Sequence, residues 1–169
     1  VALTFVVGTA ADVFPDDLAR AVDAQLRARF AAAGVRDDDP YESEPLDASG
    51  WRLLQQRVLR TLDTAPHLTG IDAYQAVYLP GSGAAVEHVA IPNAADPLQV
   101  GSITSLIEEL NRFASSASLP TDDVELMELA AQYLESEDAK LDLDVQTYVQ
   151  LMLSAKQAAA RKQALWIVV

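Results

Sequence analysis

Residues 78–92 read YLPGSGAAVEHVAIP, and the shape of the sheet turns on how this stretch is paired. Pro80-Gly81-Ser82-Gly83 is strong turn chemistry, because proline pre-sets φ and glycine accepts positive φ. A short apolar-rich run lies on either side, residues 73–79 and residues 85–91, and each meets a proline, at Leu79-Pro80 and Ile91-Pro92. Proline has no N–H to give to a ladder, so a strand stops there. The pattern predicts a β-hairpin in which residues 73–79 pair with residues 85–91.

Toward the N-terminus, Leu3-Thr-Phe-Val-Val7 is β-branched and aromatic and is closed by Gly8, which reads as a buried strand. Pro15, Asp16 and Asp17 then suit a first helical turn. Leu18, Val22, Leu26 and Phe30 form its apolar stripe, Asp16–Arg20 and Asp23–Arg27 make i,i+4 pairs, and Gly34 supplies the stop. Residues 36–48 are acidic, contain prolines and have no apolar period, so an acidic connector loop is expected there. Ser49 can cap a second helix with the stripe Trp51, Leu54, Val58 and Leu62.

Toward the C-terminus three helical patterns follow. Ile103, Leu106, Ile107, Leu110 and Phe113 mark the first. Thr121 can cap the second, with Leu126, Met127, Ala130 and Leu134 as its expected inner stripe. Asp144 can cap the third, with Val145, Tyr148, Val149, Met152 and Ala159 inward. Leu165-Trp-Ile-Val-Val169 reads as a last strand, apolar on both faces. The expected fold is one α+β domain over residues 1–169, in the order β α α β β α α α β. A single small mixed sheet of about four strands is covered by amphipathic helices, with the first and last strands central and the hairpin toward an edge.

Half of the 169 residues are apolar, enough for one full core, and no run approaches the ~20 residues of a membrane span. Cysteine is absent, which removes thiolate and disulfide chemistry and fits a cytoplasmic protein. Net charge is −13, and residues 61–144 carry it: fifteen acids against Arg112 and Lys140 alone. Such a block repels phosphate backbones, so no nucleic-acid partner is expected, and it suits a basic protein partner. No cofactor is implied by any motif.

The chemical candidates are few. Gly8-Thr-Ala-Ala-Asp12 joins a strand to a helix, but it lacks both dinucleotide and P-loop glycine patterns, and Asp12, Asp16 and Asp17 crowd it. Glu87 and His88 are adjacent on a strand, so their side chains point to opposite faces and cannot form a dyad with each other. His67, after Pro66, could join them only through the fold, and Ser82 lacks a nucleophile elbow. The acid clusters Asp37–Asp39 and Glu135–Asp138 do not match calcium-loop spacing, so no metal site is expected. Tyr74 and Tyr78, four apart, would share one strand face and could form an aromatic patch. The expected function is a non-enzymatic acidic protein-binding or regulatory domain, immunity-like in character, that acts on a basic protein. Tyr74, Tyr78, Glu125, Glu128, Glu135 and Glu137 are its expected binding residues. The alternative is a small hydrolase or transferase that uses His88 with Glu87, Asp72 or the surroundings of His67.

Overall fold

The two most apolar segments, from opposite ends of the sequence, meet in the middle of the structure. β1 (Ala2–Gly8) and β7 (Ala164–Val168) pair antiparallel, from Thr4 opposite Val168 to Gly8 opposite Ala164. The computed structural model describes residues 1–30, 39–80, 85–135 and 142–169. After β1, a 3-10 turn at Ala10–Asp12 leads into α1 (Asp16–Arg29). The chain continues through β2 (Tyr41–Glu42), β3 (Leu46–Asp47), α2 (Ser49–Thr61) and α3 (Pro66–Thr69). Then come β4 (Ala76–Leu79), β5 (Glu87–Val89), β6 (Leu98–Ser102), α4 (Ile103–Ala117), α5 (Asp123–Glu135) and α6 (Leu143–Arg161), before β7.

The result is α+β, with one open mixed sheet in the order β2-β1-β7-β4-β6-β5 and β3 also paired to β1. The first and last strands are internal, as their composition demands. The strand number is not four but seven. The three additional strands are β2, β3 and β6, all short.

The expected hairpin does not form. β4 and β5 are not neighbours, because β6 lies between them, parallel to β4 and antiparallel to β5. Tyr78 stands opposite Gly101 and His88 opposite Gln99. Burial explains the choice. Every residue of β6 is buried, whereas Glu87 and His88 of β5 are exposed. The strand that can be buried on both faces takes the inner place, and the one carrying polar side chains takes the edge. The turn residues Gly81, Ser82 and Gly83 lie outside the described residues, as does Gly34.

Part of the acidic stretch 36–48 is also structured. β2 and β3 both pair antiparallel with β1. Ser43 between them is buried, and its Oγ accepts the Phe5 N–H at 2.9 Å. A serine hydroxyl here replaces a ladder partner for β1, which keeps a buried donor satisfied.

Both faces of the sheet are covered. Leu3, Phe5, Val7, Tyr78, Leu165 and Ile167 face the larger core with residues of α2, α4, α5 and α6. Val6, Val77, Val100 and Trp166 face a smaller core closed by Ala19, Val22 and Leu26 of α1. The alternation along the inner strands β1, β7 and β4 therefore sorts apolar residues between two cores, not between core and water. Trp166 donates its indole N–H to the Gly8 carbonyl at 3.1 Å and meets Phe14 edge-on, with ring centroids 5.5 Å apart. α6 lies centrally in the helical layer, and Gly50 lets α2 approach it. A Cβ at that position would come within 2.9 Å of the Leu143 carbonyl oxygen.

Helix ends differ in detail from the sequence reading. Asp47, not Ser49, does the capping at α2, by accepting the N–H and the hydroxyl of Ser49 at 2.9 and 2.7 Å. At α5 the cap is Asp122, whose carboxylate accepts the N–H groups of Val124 and Glu125. The expected Asp23–Arg27 pair is present at 2.9 Å. In α6, Ala158 is buried and Ala159 faces out. No helix among the described residues is long and apolar enough to cross a membrane.

Candidate functional site

The two histidines end up in opposite settings. His88 lies on the exposed edge strand with Glu87, and neither side chain has a hydrogen-bond or ion-pair partner among the described residues. His67 is buried in the first turn of α3. The structure therefore does not bring His67, His88 and Glu87 into one cluster. The residue it does bring to His67 is Glu109 of α4, which was not singled out from the sequence.

Glu109 is 4% exposed, and its carboxylate meets three N–H groups of His67 and Leu68. Its Oε1 accepts the backbone N–H of His67 at 3.0 Å and of Leu68 at 3.1 Å. Its Oε2 lies 2.8 Å from Nδ1 of His67. A carboxylate that already accepts backbone N–H groups makes Nδ1 the protonated nitrogen, so the tautomer follows from the geometry. Glu109 thus caps a one-turn helix from another element and orients its imidazole. Tyr78 completes the cluster by donating its hydroxyl to the His67 carbonyl at 2.6 Å. Burial, with Glu109 adding to it, pushes the Tyr78 phenol well above its ordinary range, so it remains a neutral donor.

A histidine with a carboxylate on one nitrogen is the pairing a general base needs. Here the other nitrogen, Nε2, is buried without a partner. Its surroundings are closed: a Cβ on Gly101 would come within 2.9 Å of both His67 Cδ2 and Tyr78 Cδ1. Nothing the size of a substrate atom reaches the free nitrogen in this arrangement. The cluster ties α3, α4 and β4 together.

The tyrosine patch is corrected as well. Tyr78 is fully buried, and Tyr74 is 58% exposed. They do not share a strand face, because β4 begins only at Ala76 and Gln75 between them has a left-handed φ of 50°. Asp72 is held through its backbone, with its N–H on Gln99 Oε1 at 2.9 Å. In the loop after β1, Asp12 Oδ2 accepts the Thr9 N–H at 2.7 Å, so the protein's own carboxylate occupies the place an anion would take. Among the described residues no three ligating side chains converge on a metal position. Asp37, Asp38, Glu137 and Asp138 lie outside the described residues.

The remaining expected binding residues fall on α5. Its inward face is Leu126, Leu129, Ala130 and Tyr133, not the Leu126, Met127, Ala130, Leu134 stripe expected from spacing. Val124 is 62% exposed, Met127 57% and Leu134 65%. Glu125, Glu128 and Glu135 are exposed among them, and α5 carries no basic residue. None of these three glutamates has an ion-pair partner among the described residues. On one flank, Glu125, Glu128, Leu129 and Gln132 line an open groove of about 390 Å³ with Leu119 and Pro120. The helix is fixed in place by α6: Lys156 holds Asp123 at 2.7 Å and also the Thr121 carbonyl, and the Tyr148 hydroxyl donates to Pro120 O at 2.7 Å. No family model matches the chain, and comparison with curated proteins and with solved structures finds no match.

Proposed function

We propose that this chain is a non-enzymatic, acidic protein-binding domain that regulates or neutralises a basic protein partner, in the manner of an immunity protein acting in the cytoplasm. The observation that carries the reading is the outer surface of α5. Three large apolar side chains, Val124, Met127 and Leu134, stand exposed on one rigidly mounted helix among Glu125, Glu128 and Glu135. Apolar area in water beside unpaired like charges gains on docking against a surface that is both apolar and basic. A net charge of −13 adds a long-range field that attracts such a partner and repels nucleic acid.

The rival reading, a hydrolase or transferase at His88, draws less support. His88 lies on a solvent-facing edge strand, and the only imidazole–carboxylate contact among the described residues is the enclosed one at His67. The test is kinetic. A partner is captured by cross-linking, purified and mixed with this chain in a stopped-flow instrument. Its association rate should fall steeply as salt rises from about 0.01 to about 0.15 M, over which the screening length shortens from ~30 to ~8 Å. Dissociation should change little. Converting Glu125, Glu128, Glu135 and Glu137 together to Gln should give the high-salt rate at low salt. A rate indifferent to both salt and substitution would reduce the acidic block to a solubilising surface.

A further inference from the structure

The partner's form follows from how α5 divides its outer surface, an inference that rests on the protein-binding reading above. At 100° per residue, Val124, Met127, Ala131 and Leu134 recur at i, i+3, i+7 and i+10, a second apolar stripe beside the buried one. Glu128 and Glu135 run along one border of this stripe, and beyond them lie Glu125 and Gln132 on the wall of the groove. A single helix therefore presents, side by side, an apolar ridge and an acidic border over thirteen residues, about 20 Å.

We propose that α5 is the docking face for a basic amphipathic helix of a partner protein, laid along α5 so that the two helices pack lengthwise. The partner's apolar residues at helical spacing cover Met127, Ala131 and Leu134, since ridges of one helix fill the grooves of another only when both repeat every three or four residues. Its Lys or Arg side chains cross the border to Glu128 and Glu135. One of them enters the groove at the α4–α5 corner. There Leu119, Pro120 and Leu129 receive the aliphatic stem, and Glu125 and Glu128 receive the charged head. A second copy of this chain does not fit the same face through its own α5. Its α5 would bring Glu128 and Glu135 against their own equivalents, with no basic residue on either helix to offset them.

The probe is a labelled synthetic peptide of about 18 residues, built from Leu, Ala and Lys with the leucines on one helical face. Its control has the same composition with the leucines dispersed around the helix. The segregated peptide should bind at least about ten-fold tighter than the dispersed one at physiological salt, and it should gain helical circular dichroism on binding. Met127→Ser with Leu134→Ser should remove the preference between the two peptides, while Glu125→Gln with Glu128→Gln should weaken both. All four positions are exposed, and unchanged thermal unfolding of the variants confirms that the fold is intact. Equal affinity for the two peptides, or indifference to Met127→Ser with Leu134→Ser, overturns the helix while leaving a basic partner standing. Failure of both peptides to bind at low salt overturns the helix and the basic partner together. Sedimentation showing a dimer that Met127→Ser with Leu134→Ser dissolves would give the face to a second copy and overturn the proposal.

Discussion

Glu109 owes its role to its place among three donors. The carboxylate accepts two backbone N–H groups of α3 and orients the His67 ring, all inside the larger core. Removing such a group leaves each donor dry and unpaired, which costs far more than an exposed pair is worth. Glu109→Ala should therefore lower stability by about 3–5 kcal/mol. Glu109→Gln, which keeps one accepting oxygen, should cost less. Glu108→Ala, next door but exposed, should stay within about 0.5 kcal/mol. Urea midpoints of the three variants measure this. Equal shifts for Glu108→Ala and Glu109→Ala would mean that the buried cluster contributes nothing. The partnership with His67 was not legible in the sequence, where Glu108 and Glu109 are simply adjacent acids between Ile107 and Leu110. The apolar stripe of α4 fixes which of the two points inward, but only the tertiary arrangement supplies the donors that make burial of the charge tolerable.

At the scale of elements, the helices and the terminal strands are dictated locally, while the pairing between strands is not. The stripes Trp51-Leu54-Val58 and Leu106-Leu110-Phe113 fix α2 and α4, and the corresponding residues are buried. β6 escaped notice because Leu98-Gln-Val-Gly-Ser102 is five residues with one β-branched side chain and a glycine, too short and too mixed to stand out as a strand. Its insertion overrode a turn sequence that favours a hairpin, because burial of a whole strand outweighs local turn preference. α5 shows the same limit from the other side. Two overlapping apolar stripes fit helical spacing equally well, and α6 rather than the spacing selects which one is buried. The candidate site was legible in part: the glutamates of α5 were, whereas the exposure of Met127 and Leu134 beside them was not. β7 offers the sharpest test of an element's contribution. Trp166 is 2% exposed and donates to Gly8, so Trp166→Ala should destabilise by about 3–5 kcal/mol in a calorimetric or denaturant melt. A shift within error would make the smaller core dispensable.

At the scale of the whole molecule, charge and topology set the behaviour. Fifteen acids against two bases over residues 61–144 repel one another in the folded state more than in the expanded chain. The melting temperature should therefore rise by a few degrees between about 0.01 and about 0.15 M sodium chloride, corresponding to stabilisation on the order of 1 kcal/mol. A melting temperature that falls with salt would mean that favourable pairs such as Lys156–Asp123 outweigh the repulsion. Topology has a different consequence, which concerns time. β7 alone joins the β1 group of strands to the β4 group, since β1 and β4 each pair with β7 and not with each other. Residues 164–168 are also the last of the sheet to leave the ribosome. Without them the other strands fall into two separate groups, and the edges of β1 and β4 that face β7 have no partner. Assembly of the sheet centre is therefore a late event of long sequence separation, and the interval before it is when this chain most needs protection from association with its neighbours on the same message.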